Sequence, residues 1–167
     1  IKDAIGREWQ CSTIQLDFQQ PLNFSMRFIN EDGKEYMPAV LHIAMIGSIE
    51  RFMGILIEHY AGAFPLWLSP IQVMILPIAD RHEEAARKIV NELMDNDIRA
   101  ELDNRPERLQ AKIRDSSLQK VPYLGIIGDK EIAESNISVR LRDGKDLGKL
   151  KISDFSQRLK EEIDKKI

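Results

Sequence analysis

The stretch Leu41–Trp67, LHIAMIGSIERFMGILIEHYAGAFPLW, constrains this chain more than any other, because it joins a short strand to a nearly all-apolar helix with Glu50 and Arg51 in its first turn. Val40, His42 and Ala44 alternate with Leu41, Ile43 and Met45, which puts the two sets on opposite faces of a strand. Gly47 permits a sharp turn, and Ser48 is suited to cap the helix. With apolar residues at Ile49, Phe52, Met53, Ile55, Leu56, Ile57 and Tyr60, the helix is expected to be buried on most sides. A guanidinium in such surroundings costs on the order of several kcal/mol unless an acceptor meets it. Arg51 is therefore expected to have a partner, either a ligand phosphate or a carboxylate of the chain such as Glu58.

Upstream, residues 7–18 and 22–30 alternate as strands do, and the turn signal Asn30-Glu31-Asp32-Gly33 precedes a further strand at 36–45. This reads as an antiparallel meander. Between Pro65 and Pro70 the pattern changes to alternating strands and helices, so a domain boundary is placed near residue 69. Ile71–Ile78 is an apolar strand of the kind covered on both faces. Asp80 and Glu83 suggest a capping box for a helix at 81–96, whose inward stripe is Ala85, Ile89, Val90 and Leu93. Strands at 98–103, 122–127 and 137–142 and helices at 107–119 and 153–165 complete the expectation. The fold class is α+β: a meander with a strand–helix unit over residues 1–69, then an α/β mixed sheet over 70–167.

Glu50, Arg51, Glu58 and His59 interrupt the longest apolar stretch, which falls short of a membrane span of about 20 apolar residues. With no signal-peptide pattern at the start and a single cysteine, Cys11, the expectation is a cytoplasmic protein that does not engage a membrane. The net charge of −3 argues against a globally basic nucleic-acid binder. Yet residues 110–167 hold 13 Lys/Arg against 10 Asp/Glu, the reverse of the balance in residues 1–69 and 70–109. That local excess fits either a polyanion at one face or a solvated helix and hairpin.

Gly47-Ser48-Ile49-Glu50-Arg51-Phe52 resembles motif 3 of the class II aminoacyl-tRNA synthetases. Trp9–Phe18 and Ala61–Leu68 are similar to threonine-specific members, as are Val121-Pro122-Tyr123, Gly128–Glu131 and Asp143–Gly148. The chain is thereby identified as resembling the threonyl-tRNA synthetases over essentially its whole length. The resemblance implies the end of a class II catalytic domain followed by an anticodon-binding domain. It implies ATP-dependent ligation of threonine to its tRNA, with ATP–magnesium, threonine and threonine tRNA as partners and a homodimeric parent enzyme.

The same resemblance assigns residues. Gln10, Ser48 and Arg51 match ATP-contacting positions, Arg51 being the catalytic one that lies against the phosphates. Cys11, Gln15 and His42 match the threonine pocket. His42 also matches one ligand of a zinc site whose other ligands lie outside these residues; read alone, a lone strand histidine is no metal site. Arg105, Arg108, Arg114, Glu131 and Arg140 match positions facing the anticodon, although each alone also reads as a solvated surface charge. Two departures stand out: Ile43 where the family has Arg, and Pro106 where it often has Asn. Neither motif 1 nor motif 2 is present, so the isolated chain is expected not to form an adenylate. The alternative reading is a non-catalytic synthetase paralogue that uses the anticodon domain for binding or regulation.

Overall fold

A computed structural model describes residues 1–167, which divide into two compact units, Ile1–His59 and Tyr60–Ile167. In the first, strand β1 (Thr13–Asp17) pairs antiparallel with β4 (Val40–Ala44), Gln15 facing His42 and Ile14 facing Ile43. Between them lie a short helix α1 (Gln19–Asn23) and a hairpin of β2 (Phe28–Ile29) and β3 (Glu35–Tyr36). The antiparallel pairing is as expected, but the strands do not follow one another as a simple meander. Asp17 explains the first break, since its Oδ1 accepts the N–H groups of Gln19 and Gln20 at 2.7 and 3.1 Å and starts a helix that runs from the gap between the expected strands into the second of them. Pro38 stands in the second break, having no N–H to give to a ladder.

Helix α2 (Ile49–Tyr60) forms where the apolar pattern and Ser48 place it. Its expected burial does not follow, because only Ile55 is fully buried. The unit's two sheets have two strands each, too few to lay a second layer over the helix. For the same reason Ile14, Leu16, Leu41 and Ile43, which share one sheet face, remain 71%, 59%, 58% and 52% exposed.

The second unit is a five-stranded sheet in the order β6-β5-β7-β8-β9. Its members are β5 (Val73–Pro77), β6 (Ala100–Leu102), β7 (Tyr123–Ile127), β8 (Asn136–Leu141) and β9 (Asp146–Lys151). β5 is parallel to both neighbours and β8 and β9 are antiparallel, giving the mixed sheet expected from the alternation of strands and helices. Helices α3 (Glu83–Asp95) and α6 (Ile152–Asp164) bury Ala86, Ile89, Leu93, Phe155 and Leu159 against one face, through Val73, Ile75, Tyr123 and Val139. Helix α4 (Leu109–Leu118) brings Leu109 and Ile113 to the other face, on Met74, Leu76 and Leu124. The six-residue helix α5 (Asp129–Glu134) was not anticipated, and β9 is the second arm, given no bounds by the sequence, of the hairpin expected at 137–142. Ala86 rather than Ala85 lies deepest in the α3 stripe. The cap expected of Asp80 and Glu83 is made by His82, whose Nδ1 accepts the Ala79 N–H at 3.2 Å.

Gln72, fully buried ahead of β5, ties the chain on either side of the sheet edge. Its amide donates to the Leu66 carbonyl and accepts the Arg99 N–H, both at 2.9 Å. Gly125 lies at the tightest point of the sheet, where a Cβ would come within 2.4 Å of Ile137 Cδ1 and 2.8 Å of Ile75 Cδ1. Gly125→Ala is expected to destabilise the protein by about 1–3 kcal/mol, as overpacked cores do. Urea unfolding followed by circular dichroism measures this, and an unchanged midpoint would mean that the two isoleucines move aside freely.

Candidate functional site

In the first unit the site is assembled at the turn from β4 into α2. Gly47 takes a left-handed φ of 67° with its α-carbon facing the Cys11 backbone, and a Cβ there would sit 3.0 Å from the Cys11 carbonyl oxygen. The Ser48 carbonyl accepts the Phe52 N–H at 3.0 Å, and Ser48 Oγ accepts the Arg51 N–H at 3.4 Å, so Ser48 is the N-cap that its position suggests. The same hydroxyl donates to Glu50 Oε2 at 2.6 Å, which holds the Glu50 carboxyl below its usual range.

Arg51 lies in the open rather than in apolar surroundings. Its Nη1 donates to the Gln10 carbonyl at 3.4 Å and its guanidinium stands 5.9 Å from the centre of the Trp9 ring. It forms no ion pair with Glu58, whose Oε2 is met instead by Arg7 Nη2 at 3.4 Å. Trp9 is itself anchored, donating its indole N–H to Asp3 Oδ2 at 2.8 Å. Asp3 is the buried hub of this corner: it also accepts the backbone N–H groups of Ile5 and Arg7 and the Arg7 Nε. Against the cost of burial, the Trp9 and Arg7 hydrogen bonds bring its carboxyl down to about 2. No sequence periodicity announces this hub; Asp3 and Arg7 four residues apart were its only trace.

Gln15 and His42 are directly opposed across the β1–β4 pair, on one sheet face, with Thr13 and Ala44 beside them. Ile43 points to the other face, so its departure from the family pattern leaves the His42 side unaltered. Cys11 precedes the paired strand and is half-buried. No group of three His, Cys, Asp or Glu residues lies close enough to hold a metal ion. Residues 1–167 therefore do not make a zinc site by themselves.

In the second unit the named residues fall into two groups. Arg105, Arg108 and Arg114 belong to the β6–α4 segment. Arg105 grips the buried Asp103 with Nε and Nη2 at 2.9 and 2.7 Å, and reaches Asp115 with Nη1 at 3.0 Å. The Arg105 fork keeps the Asp103 carboxyl below its usual range despite burial. Arg114 shares Asp115 at 3.2 Å, while the exposed Arg108 has no side-chain partner.

Glu131 and Arg140 form the other group. Buried Glu131 closes the N-terminus of α5, Oε2 accepting the Gly128 N–H at 3.1 Å, and its Oε1 accepts the Ser138 hydroxyl at 3.0 Å. Arg140 lies two residues along the same face of β8, half-buried, and its Nε is shielded from water with no hydrogen-bond partner. Residues that the sequence reading missed complete this edge of the sheet. His82 donates through Nε2 to Asp129 Oδ1 at 2.9 Å, since its Nδ1 is already an acceptor, and Arg81 Nη2 donates to Asp129 Oδ2 at 2.6 Å. Arg81 first and His82 second hold the Asp129 carboxyl far below its usual range. Only Gly128-Asp129-Lys130-Glu131 hinted at this corner.

Residues 72–162 match the family described as "Anticodon binding domain". The chain belongs to this family. Residues 1–60 match the "tRNA synthetase class II core domain (G, H, P, S and T)". Over 98% of its length the chain is 52% identical to the threonine–tRNA ligase of Caldanaerobacter subterraneus, and over 99% it is 51% identical to that of Aquifex aeolicus. It spans about a quarter of the length of these relatives, 25% and 26%. The solved RNA-binding domain of threonyl-tRNA synthetase from Cryptosporidium parvum superimposes with a TM-score of 0.84 at 31% identity, covering 96% of this chain and 41% of that one. No helix is long and apolar enough to cross a membrane.

The Asp3 hub carries a pH signature. A carboxyl whose folded pKa is near 2 contributes stability that is fully present above its ordinary value of 3.8 and is lost as pH falls through about 2. The stability gap between the wild-type chain and Asp3→Asn is expected to be constant above about pH 5 and to close towards pH 2. Denaturant melts of both proteins from pH 2 to 6 check this, and a gap that did not depend on pH would rule out the charge as its source.

Proposed function

We propose that this chain contributes to threonine–tRNA ligation, supplying the motif 3 part of the adenylation site and the anticodon-binding domain. The observation that carries the reading is about 50% identity to threonine–tRNA ligases along the whole chain, across both units. In the parent reaction ATP activates the threonine carboxylate as an adenylate, and a terminal ribose hydroxyl of the tRNA then accepts the acyl group. Ser48 and Arg51 at the start of α2 are proposed to meet ATP there, with Gln10 beside them. A helix N-terminus and a guanidinium free of any carboxylate suit a polyphosphate. The Trp9 ring and the Gln10 carbonyl hold that guanidinium without neutralising it. This arrangement supports a cation ready for charge that develops on the phosphates.

Gln15 and His42, opposed across one pair of strands, together with Cys11 are proposed to face threonine. Zinc is proposed for the whole ligase only, with His42 as one of its ligands. ATP is used with magnesium, and the whole ligase is proposed to be a cytoplasmic homodimer.

Residues 70–167 are proposed as the anticodon reader, with the 1–69 segment belonging to the catalytic domain. Arg140 is the leading contact, because its half-buried guanidinium forms no ion pair and its planar fork is suited to the edge of an unstacked base. Glu131 stands on the same face and accepts hydrogen bonds, which fits a base amino or imino group. Arg108 and Arg114 complete the proposed contacts on the β6–α4 segment, to which Arg105 also belongs.

The chain is expected to bind the threonine anticodon stem-loop and to weaken by about 1–3 kcal/mol when a contacted base is changed. Arg140→Ala is expected to abolish that discrimination, and Glu131→Gln to reduce it. Titrations of native and base-changed stem-loops at one fixed salt concentration decide the matter, and equal binding of all stem-loops by the wild-type chain would overturn the reading. Threonine-dependent ATP–pyrophosphate exchange is expected to be absent from the 167-residue chain alone, because no residue in it supplies the motif 2 arginine.

A further inference from the structure

We infer, on the reading that residues 70–167 bind an anticodon stem-loop, that Arg105 is a positioning residue and that Arg108 is the cation the β6–α4 loop delivers to the RNA. Sequence alone makes Arg105, Arg108 and Arg114 equivalent basic contacts. Their surroundings in the fold differ sharply.

All three guanidinium nitrogens of Arg105 are engaged within the protein, while 47% of its side-chain surface stays exposed. Its Nε and Nη2 form a two-pronged bond to Asp103, its Nη1 reaches Asp115, and its own backbone N–H is taken by Asp103 Oδ1 at 3.2 Å. Asp103 is 7% exposed, so drawing Arg105 away onto a phosphate would strand a buried carboxylate without its counter-charge. Lys112 completes the brace from beneath. It is 4% exposed, and its ammonium donates to the Asp103 carbonyl at 3.0 Å and reaches the Pro77 carbonyl at 3.5 Å, joining the ends of β6 and β5 to α4. Asp103, Arg105, Lys112 and Asp115, with the Pro77 carbonyl, thus tie the start of the segment Asn104–Arg108 to the ends of β5 and β6 and to α4.

Arg108 stands at the free end of that braced segment. It is the extended residue (ψ 142°) immediately before α4, and its side chain is exposed with neither a hydrogen bond nor an ion pair. Recruiting it costs no existing contact. Arg114 is intermediate, 73% exposed but resting on Asp115 Oδ1 at 3.2 Å.

A contact to phosphate and a brace behave differently under salt. Each phosphate neutralised on a single strand adds about 0.7 to the slope of log affinity against log salt, whereas a cation already paired with carboxylates adds little. In the 167-residue chain, Arg108→Gln is expected to weaken stem-loop binding and flatten the slope by about 0.7. Arg105→Gln is expected to leave the slope unchanged while the amides of residues 104, 105 and 107–109 exchange hydrogen about tenfold faster in the RNA-free protein. Lys112→Met is expected to reproduce the faster exchange, with thermal melts confirming that each variant folds. Flattening of the slope by Arg105→Gln with unchanged amide exchange would overturn the inference. A wild-type chain that ignores the stem-loop would overturn the RNA reading and the assignment of Arg108 with it, whereas faster exchange in the Arg105 and Lys112 variants would still establish the brace.

Discussion

Strand β5 is the member on which the larger unit is hung. It has a parallel partner on each side, and all five of its residues are buried. Three parallel strands in a row end at one edge of the sheet, and in open α/β sheets that is the edge where chain leaves the strands for loops and ligands. Here the ends of β5, β6 and β7 lead to Arg81–His82, Asp103–Arg108 and Gly128–Glu131 respectively. Any loss of packing at β5 would therefore loosen all three segments together. This is why Gly125 on β7, which lets Ile75 and Ile137 meet beneath the sheet, bears on positions at its rim.

The smaller unit is organised around polar contacts instead of a core. Its order comes from one carboxylate, Asp3, gathering four donors, and from the β1–β4 ladder that places Gln15 against His42. Its apolar residues mostly remain at the surface. The two units thus rest on different physics: one buries continuous apolar faces, and the other arranges polar groups on a thin scaffold whose apolar side is open.

The alternation of strands and helices after residue 70 was legible because Ile71–Ile78 is an apolar run and α3 and α6 have clear apolar stripes. β9 was not, since Asp146-Leu147-Gly148-Lys149-Leu150-Lys151 is an edge strand whose polar residues face water. α5 escaped because six residues show no helical period, and nothing in the sequence told that Glu131 also caps it. The motif around Gly47–Arg51 located the turn, the cap and the helix correctly. It misjudged burial, because an apolar helix reports what it would prefer to pack against and not whether the partner layer is there. Partnership among charges was equally invisible: nothing in the spacing of Arg105, Arg108 and Arg114 tells which one already has a carboxylate.

That hidden pairing changes how the protein looks to an approaching polyanion. Arg81, Arg105, Arg114 and Lys149 each lie within a few ångströms of a carboxylate. Each such pair acts at a distance as a dipole, whose field dies away faster than that of a lone charge. With a net charge of −3 over the whole chain, little long-range attraction remains for a polyanion of any kind. For the stem-loop proposed above, encounter would then be left mainly to diffusion, and selectivity would arise after collision, in how long a correctly seated RNA stays.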